Sequence, residues 1–376
     1  MPIAGTSIAL NTTEGQDKIT VTEKVTSPYF STGVTELLGA RITTQSLAAD
    51  NRIYYQGISD VSSSTTPEFH VAYGNNNGKG GNSDSDNVKS PTEVIYKQWA
   101  SLLLPPTEVT GGFFISQNKS LASAPSNAAN SGIDNDIYVL VGRRANMKDR
   151  LNKKNWSIVL SGSGGSHVNL AHNILHLTDD SVNDTAVASP VGDRYNIVSG
   201  SDGTVQAEAT DRTIGFYYPD IGTMIFSATE LSASIPGEAS ATNTAVVSFN
   251  SASNRGFGAP SLEDNNYENA LRFINCLNTT DGTTGKLKFR DEEDQVSAQY
   301  FCRIKAGDMN FSNNPTFVSG SLNELRHTTM KGNPSTFLTA VQLYNNNGEM
   351  VAVGNLSTPL KKNFSSEATI KVKLTY

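Results

Sequence analysis

The chain has 376 residues, a formal net charge of −7, and 37% hydrophobic and 17% charged residues. Nucleic acid is not expected to be the main partner of such an acidic chain, because phosphate binding requires a basic surface. No apolar run approaches the length of about 18 residues that spans a bilayer, and no basic region precedes an apolar one at the start, so neither a membrane span nor a secretory signal is predicted.

The N-terminal half is predicted to contain short strands and one capped helix. Alternating apolar and polar residues indicate strands at 19–25 and 69–73, the second followed by a polar, glycine-rich loop. Ser90-Pro91-Thr92-Glu93 is a capping box with proline at the first helical position, which predicts a helix at 91–104. Its apolar stripe is predicted to consist of Val94, Ile95, Trp99, Leu102 and Leu103. Further strands are predicted at 37–43, 52–56, 111–117, 137–142 and 156–160, and a short helix at 144–151.

The following region is predicted to return to strands and to contain a second helix. Residues 213–226 fit two strands joined by the turn sequence Pro219-Asp220-Ile221-Gly222. A helix is predicted at 262–277, with Leu271, Ile274 and Leu277 facing the core. Strands at 286–289 and 296–304 then lead into the last part of the chain.

Residues 300–376 are predicted to form an antiparallel β module. Strands at 337–343 and 349–356 would form a hairpin around Asn346-Asn347-Gly348, because asparagine and glycine tolerate positive φ. Pro359 is expected to end this pairing, and Lys361-Lys362 to mark a solvated crossing. The strict alternation at 368–376 predicts a final strand that holds the C-terminus in a sheet.

Together these elements predict an α+β, β-rich fold of mixed short strands, a few capped helices and the C-terminal β module. The length suggests two domains, or one elaborate β-rich domain. We place an N-terminal β-rich region at 1–200, with the helix near 91–104, and a C-terminal region at 201–376, with the helix near 262–277.

Patterns that could carry chemistry are all incomplete, so no catalysis, cofactor or metal is predicted. Residues 74–80 are one residue short of a phosphate-binding loop and lack its Ser or Thr. His172 and His176 have the spacing of zinc ligands on a helix, but Asn173 stands where the catalytic Glu would act. The acidic run 291–294 fits a solvated turn better than a calcium site. The only two cysteines, Cys276 and Cys302, are predicted to be buried free thiols.

One dense basic cluster stands out in this acidic chain. Two readings remain open: a solvated helical face, or an interface patch that meets the acidic surface of a neighbouring subunit. The cluster consists of Arg143, Arg144, Lys148, Arg150, Lys153 and Lys154.

Scattered blocks of the chain carry a family resemblance. They include Tyr96-Lys97-Gln98-Trp99, Asp136-Ile137-Tyr138, Tyr217-Tyr218-Pro219-Asp220-Ile221-Gly222, residues 311–320, Leu343-Tyr344-Asn345, residues 352–357 and residues 370–374. This set resembles a structural protein family of large contractile-tailed phages, notably cyanophages and other marine myoviruses. The resemblance implies a virion protein, assembled in the host cytoplasm and placed in the tail baseplate, at its wedge or periphery.

The expected partners are therefore other tail and baseplate proteins, with several copies or a homo-oligomer in a symmetric assembly, and neither nucleic acid nor membrane. Alternative placements are the neck, the capsid surface or a fibre attachment. A host-surface adhesin or glycan-binding module is an alternative of a different class. It should expose aromatic residues, whereas Trp99 and Trp156 are both predicted to be buried. A glycan depolymerase is a third class.

Overall fold

A computed structural model describes residues 8–45, 55–63, 65–78, 91–108, 111–115, 133–161, 174–206, 213–228, 230–231, 270, 273–274, 276–277, 285–322 and 324–375. Strands dominate these residues and pair antiparallel in the largest sheet, which confirms the α+β, β-rich class. The long helix is α1 (Pro91–Leu103).

The strands of the first half are β1 (Lys18–Pro28), β2 (Glu36–Leu38), β3 (Ile42–Gln45), β4 (Tyr55–Asp60), β5 (Pro67–Asn75), β6 (Asp136–Gly142), β7 (Arg150–Leu151), β8 (Ser157–Ser161), β9 (Ile174–Asp179), β10 (Val187–Ser189) and β11 (Gly192–Ser201). The strands of the second half are β12 (Thr204–Val205), β13 (Gly215–Tyr218), β14 (Thr223–Ser227), β15 (Gly285–Lys288), β16 (Arg290–Ile304), β17 (Val318–Ser319), β18 (Glu324–Leu325), β19 (Thr336–Tyr344), β20 (Met350–Lys362) and β21 (Ala368–Thr375).

The chain divides into two compact units, one formed by Met1–Lys24 with Asp294–Tyr376 and the other by Val25–Glu293. The division falls inside β1 and inside β16. The boundary placed at residue 200 from the sequence lies instead within β11, which pairs with β9 and with β13. Because strands on both sides of that position share one sheet, the contacts do not separate there.

The unit Val25–Glu293 is built on one sheet of thirteen strands, in the order β2-β15-β8-β9-β11-β13-β14-β6-β5-β4-β3, with β10 and β12 beside β11. Its middle is buried on both faces. Along β6, Tyr138 and Leu140 belong to one core cluster, whereas Val139 belongs to another. The near-continuous apolar sequences of β6 and β14 suit strands that are covered on both sides.

Helix α1 covers part of the second face, and its start and end agree with the capping box and the predicted span. The predicted stripe is correct only in part: Leu103 is buried as predicted, and Ile95 and Trp99 are half-buried. The buried side chains are Thr92, Tyr96, Ala100 and Leu103, while Val94 is 54% and Leu102 is 47% exposed. Tyr96 fixes this rotation, since its hydroxyl donates to the carbonyl of Asp134 and accepts from the N–H of Phe113.

Several short predictions in this unit also need correction. Predicted strand 37–43 is broken by a 3-10 turn (Gly39–Arg41), and the strand predicted at 52–56 begins only at Tyr55 among the described residues. The described residues 111–115 are not a strand. The helix predicted at 144–151 is a 3-10 turn (Arg144–Asn146) followed by β7, because β7 pairs with the distant β16. The strands β13 and β14 and their turn are as predicted, with Gly222 at φ 60°.

The second predicted helix falls largely outside the described residues. Those that are described are helical and fully buried: Ala270, Phe273, Ile274, Cys276 and Leu277.

In the other unit, β19 and β20 form the predicted hairpin, with Gly348 at φ 80°, and β21 pairs with β16 along Ser297–Ile304 as a final strand. Pro359 does not end the hairpin. It lies in a bulge where the register changes between Leu338 and Ala340, and pairing resumes at Leu360. A bulge can hold a proline because the extra residues leave the ladder.

Lys362 is the largest departure from the predicted module. Instead of marking a solvated crossing, it is fully buried. Its ammonium donates to the carbonyls of Ala306 and Asn363, at 2.9 Å each, and to Oδ1 of Asn310 at 3.0 Å. Three oxygen acceptors can compensate a buried ammonium, which no local pattern reveals.

Candidate functional site

The basic cluster is not one continuous helical face, because its residues lie on a 3-10 turn, on β7 and on the loop after it. Arg144, Lys148 and Lys154 are exposed, and the other three side chains are half-buried. Arg144 donates to the carbonyls of Met147 and Lys148, and Lys153 donates to the hydroxyl of Tyr195 at 2.8 Å. Two of the six side chains of the cluster therefore serve the local fold.

Two members of the cluster meet the acidic run that follows residue 290. Lys148 forms an ion pair with Glu293 at 2.6 Å, and Arg150 forms one with Glu292 at 3.0 Å. Arg150 also lies 3.8 Å from Asp220. The sequence presented the basic cluster and the acidic run as two separate features, but the structure joins them within one unit.

The acidic run itself is part of β16, not a solvated turn. Asp291 and Glu292 are each 3% exposed. Asp291 accepts hydrogen bonds from the N–H and the hydroxyl of Ser27, and Glu292 accepts from the side chain of Asn152 at 2.5 Å as well as from Arg150. Carboxylates that are held by donors in this way are structural, and no cluster of three potential metal ligands occurs in the described ranges.

The two other chemical motifs are also structural where they can be described. His176 lies on strand β9, so the helical spacing assumed for a zinc pair does not apply, and His172 is outside the described residues. Burial, with the nearby charge of Lys286, lowers the pKa of His176. Gly74 and Asn75 belong to β5, while Lys79 and Gly80 are not described. Neither cysteine is in a disulfide; Cys276 is buried as predicted and Cys302 is half-buried.

A cleft of about 720 Å³ lies between α1 and strands β4, β5 and β6. Its walls are Tyr55, His70, Val71, Ala72, Pro91, Val94, Ile95, Gln98, Trp99, Val139 and Val141. No Asp, Glu, Lys or Arg is among them, and burial, together with Arg143, lowers the pKa of His70. The imidazole is therefore uncharged at neutral pH, and the cleft suits an uncharged, largely apolar group.

The cleft also corrects the prediction for one of the two tryptophans. Trp156 is fully buried, as predicted, but Trp99 is half-buried and borders the cleft. The apolar residues Val94, Ile95 and Trp99 are visible in the sequence as a stripe on the helix. The sequence does not distinguish an apolar stripe that lines a cleft from one that faces the core.

A buried polar network joins the start of β6 to the end of β14. Asp134 accepts hydrogen bonds from the hydroxyl of Ser227 at 2.6 Å and from the N–H of Ile115 at 2.9 Å. Burial raises the pKa of the Asp134 carboxyl to about 6, and the negative charges of Glu230 and Asp136 add to the effect. The network positions main chain next to α1, and the hydroxyl of Ser227 that donates to Asp134 is fully buried.

Asp134 should give the stability of this unit a measurable pH dependence. Since its folded-state pKa lies above its usual value, the folded protein binds this proton more tightly than the unfolded chain, and stability should fall as pH rises from 4 to 6. In Asp134→Asn this pH-dependent contribution disappears. The melting temperature of the variant should therefore rise relative to that of the wild type as the pH increases from 4 to 6. The exposed Asp193→Asn is the control, and parallel pH profiles for Asp134→Asn and wild type would contradict the assignment.

The hairpin β19–β20 presents the most unusual surface of the other unit. One face, with Val341, Leu343, Ala352 and Leu356, is half-buried. The opposite face is exposed and includes Tyr344 at 44%, Val351 at 61% and Val353 at 58%. Residues 336–360 contain a single charged residue, Glu349. Exposed apolar side chains on a two-stranded sheet with so few charges are typical of a protein contact surface.

In the part of the chain that the structure describes, the fold is β-rich, the clusters of titratable residues are held by contacts within the fold, and an exposed apolar surface lies on the hairpin β19–β20. Comparison of the chain with protein-family models, with curated proteins and with solved structures found no match. Within the part of the chain that the structure describes, no helix has the length and apolar character needed to cross a bilayer.

Proposed function

We propose that this chain is a structural protein of a phage virion that acts through protein–protein interfaces, in the tail baseplate at its wedge or periphery. The resemblance to the structural family of contractile-tailed phages motivates the virion assignment. A neck, capsid-surface or fibre-attachment position is the alternative within the particle.

The observation that carries the structural role is the exposed hairpin β19–β20, in which residues 336–360 carry a single charge, Glu349. A surface of this kind gains free energy when a protein partner covers it, because apolar area leaves water and unpaired strand edges find hydrogen-bond partners. The described acidic and basic clusters, in contrast, are largely used inside the fold, as the pairs Lys148–Glu293 and Arg150–Glu292 show. Lys154 and Arg144 are the exposed basic side chains of the cluster that still fit the interface reading, although Arg144 also donates to the carbonyls of Met147 and Lys148.

The cleft beside α1 is the feature that bears on a second candidate function, glycan binding by an adhesin. Trp99, Tyr55, His70 and Gln98 could stack on and hydrogen-bond to a sugar. The remaining walls are aliphatic or proline, however, and would leave many sugar hydroxyls without partners, which is costly. The cleft therefore favours an apolar group over a glycan, and the structural role remains the better-supported proposal.

Mass spectrometry of purified particles, separated into heads and tails, tests the proposed function. The 40.2 kDa chain is expected in the tail fraction at a multiple of three or six copies. Its presence only in heads would move it to the capsid or neck. Its absence from both fractions would contradict the structural role.

A further inference from the structure

The strand β19 has an edge that no described strand covers. It belongs to a two-stranded sheet with β20 alone, so every second residue of β19 directs its N–H and C=O away from the hairpin. Such an edge is a template for another strand. A hairpin of two strands is marginally stable by itself, and additional strands stabilise it.

The sequence of β19 lacks the features by which proteins usually protect an edge. Thr336–Tyr344 contains no charged residue, no proline and no glycine, and is rich in apolar and β-branched residues. The other edge is different, because β20 carries Gly354, Pro359 and the exposed Lys361. Proline and lysine discourage strand addition, so β19 is the edge that is free to pair.

The charge distribution indicates what pairs with it. Two copies of a chain with net charge −7 repel each other over most surfaces, but residues 336–360 carry only Glu349. A strongly charged partner would find no counter-charge along β19. The β19 edge of a second copy carries no charge, so its pairing with β19 would bring no like charges together and would leave no charge without a partner.

We propose that β19 pairs antiparallel with β19 of a second copy of this chain, which joins two hairpins into a four-stranded sheet. A two-fold axis relates the copies and makes the contact self-complementary. Antiparallel pairing also directs the two hairpin turns to opposite ends of the sheet, so that the two Glu349 side chains are far apart. The contact would be the subunit interface of the proposed structural protein, and to that extent it deepens the proposed function.

Lysine substitutions on the two strands provide a matched test. Ala340→Lys/Gln342→Lys places two charges on the exposed face of β19, and Asn355→Lys/Val353→Lys places two on their cross-strand neighbours in β20. All four side chains are exposed, so both variants should fold. In the proposed dimer the β19 lysines lie beside those of the second copy, whereas the β20 lysines are a strand further away on each side.

The measurement is the dimer dissociation constant by sedimentation equilibrium of the full chain, with circular dichroism as the check on folding. The wild type is expected to have twice the mass of the 40.2 kDa chain. The β19 variant should dissociate about tenfold more readily, equivalent to about 1.4 kcal/mol, and the β20 variant should resemble the wild type.

Three outcomes overturn the proposal: a monomeric wild type, a dimer that neither variant weakens, or a dimer that both weaken equally, which would indicate face-to-face packing of hairpins. These results are independent of the particle experiment. A monomer in solution removes the β19 contact without removing the chain from tails, and absence from the virion removes the proposed function without affecting the dimer.

Discussion

Replacement of Trp156 by alanine is expected to destabilise the unit Val25–Glu293 by about 3–5 kcal/mol, the range for large aromatic deletions in a packed core. The side chain is fully buried. Its ring stacks on Phe289 at 5.6 Å with an interplanar angle of 5°, and it packs against Tyr217 at 5.2 Å. Removal of the indole leaves a cavity lined by Tyr217 of β13 and by Phe289, the residue after β15. Because these residues belong to or adjoin strands of one sheet, the core can collapse into the cavity only in part.

Two control substitutions separate the cavity from other effects. The indole N–H of Trp156 has no acceptor among the described residues, so Trp156→Phe loses packing but no hydrogen bond and should cost less than the alanine change. Trp99→Ala removes the same side chain from a half-buried position beside the cleft, so its cost should also be smaller. Urea denaturation followed by fluorescence measures all three variants. A Trp99→Ala cost equal to that of Trp156→Ala would contradict the assigned burial.

Replacement of Lys362 by methionine is expected to destabilise the other unit by about 3 kcal/mol, although the two side chains are similar in size. Methionine cannot donate to Ala306, Asn363 or Asn310, which the ammonium contacts at 2.9–3.0 Å. Asn310 is itself buried and also donates to the carbonyl of Ala306. Loss of hydrogen bonds from a charged donor leaves buried acceptors unsatisfied, and this costs more than the desolvation that the neutral side chain avoids.

The neighbouring residue supplies the matched control for this prediction. Lys361 is exposed, so Lys361→Met removes the same charge from the same strand without removing a buried donor. Hydrogen exchange over residues 336–362 should accelerate in Lys362→Met and stay near the wild-type rate in Lys361→Met. Equal protection in both variants would show that the three hydrogen bonds do no more than offset the burial of the ammonium.

Local signals in the sequence predicted several elements correctly. The capping box predicted the start of α1, Asn346-Asn347-Gly348 predicted the hairpin turn, and the alternation at 368–376 predicted β21. Each of these signals depends on residues within a few positions of one another, because capping, turn conformation and strand alternation are properties of short segments.

The candidate surfaces were harder to predict from such short-range patterns. The basic cluster was singled out, but its partners Glu292 and Glu293 lie about 140 residues later in the chain. The free edge of β19 was not singled out, although its lack of charge is visible in the sequence. An uncharged alternating strand looks the same whether it lies inside a sheet or at its edge.

Short-range patterns in the sequence were therefore enough to predict the β-rich class, several turns and the start of α1, and the low charge of residues 336–360 can be read from the sequence directly. Three features depend on the tertiary structure: the face of α1 that is buried, the burial of the Lys362 ammonium among three oxygen acceptors, and the place of the acidic run within a strand. The reason is physical: propensity, capping and alternation are set by neighbours in sequence, whereas burial and charge pairing are set by groups that only the folded chain brings together.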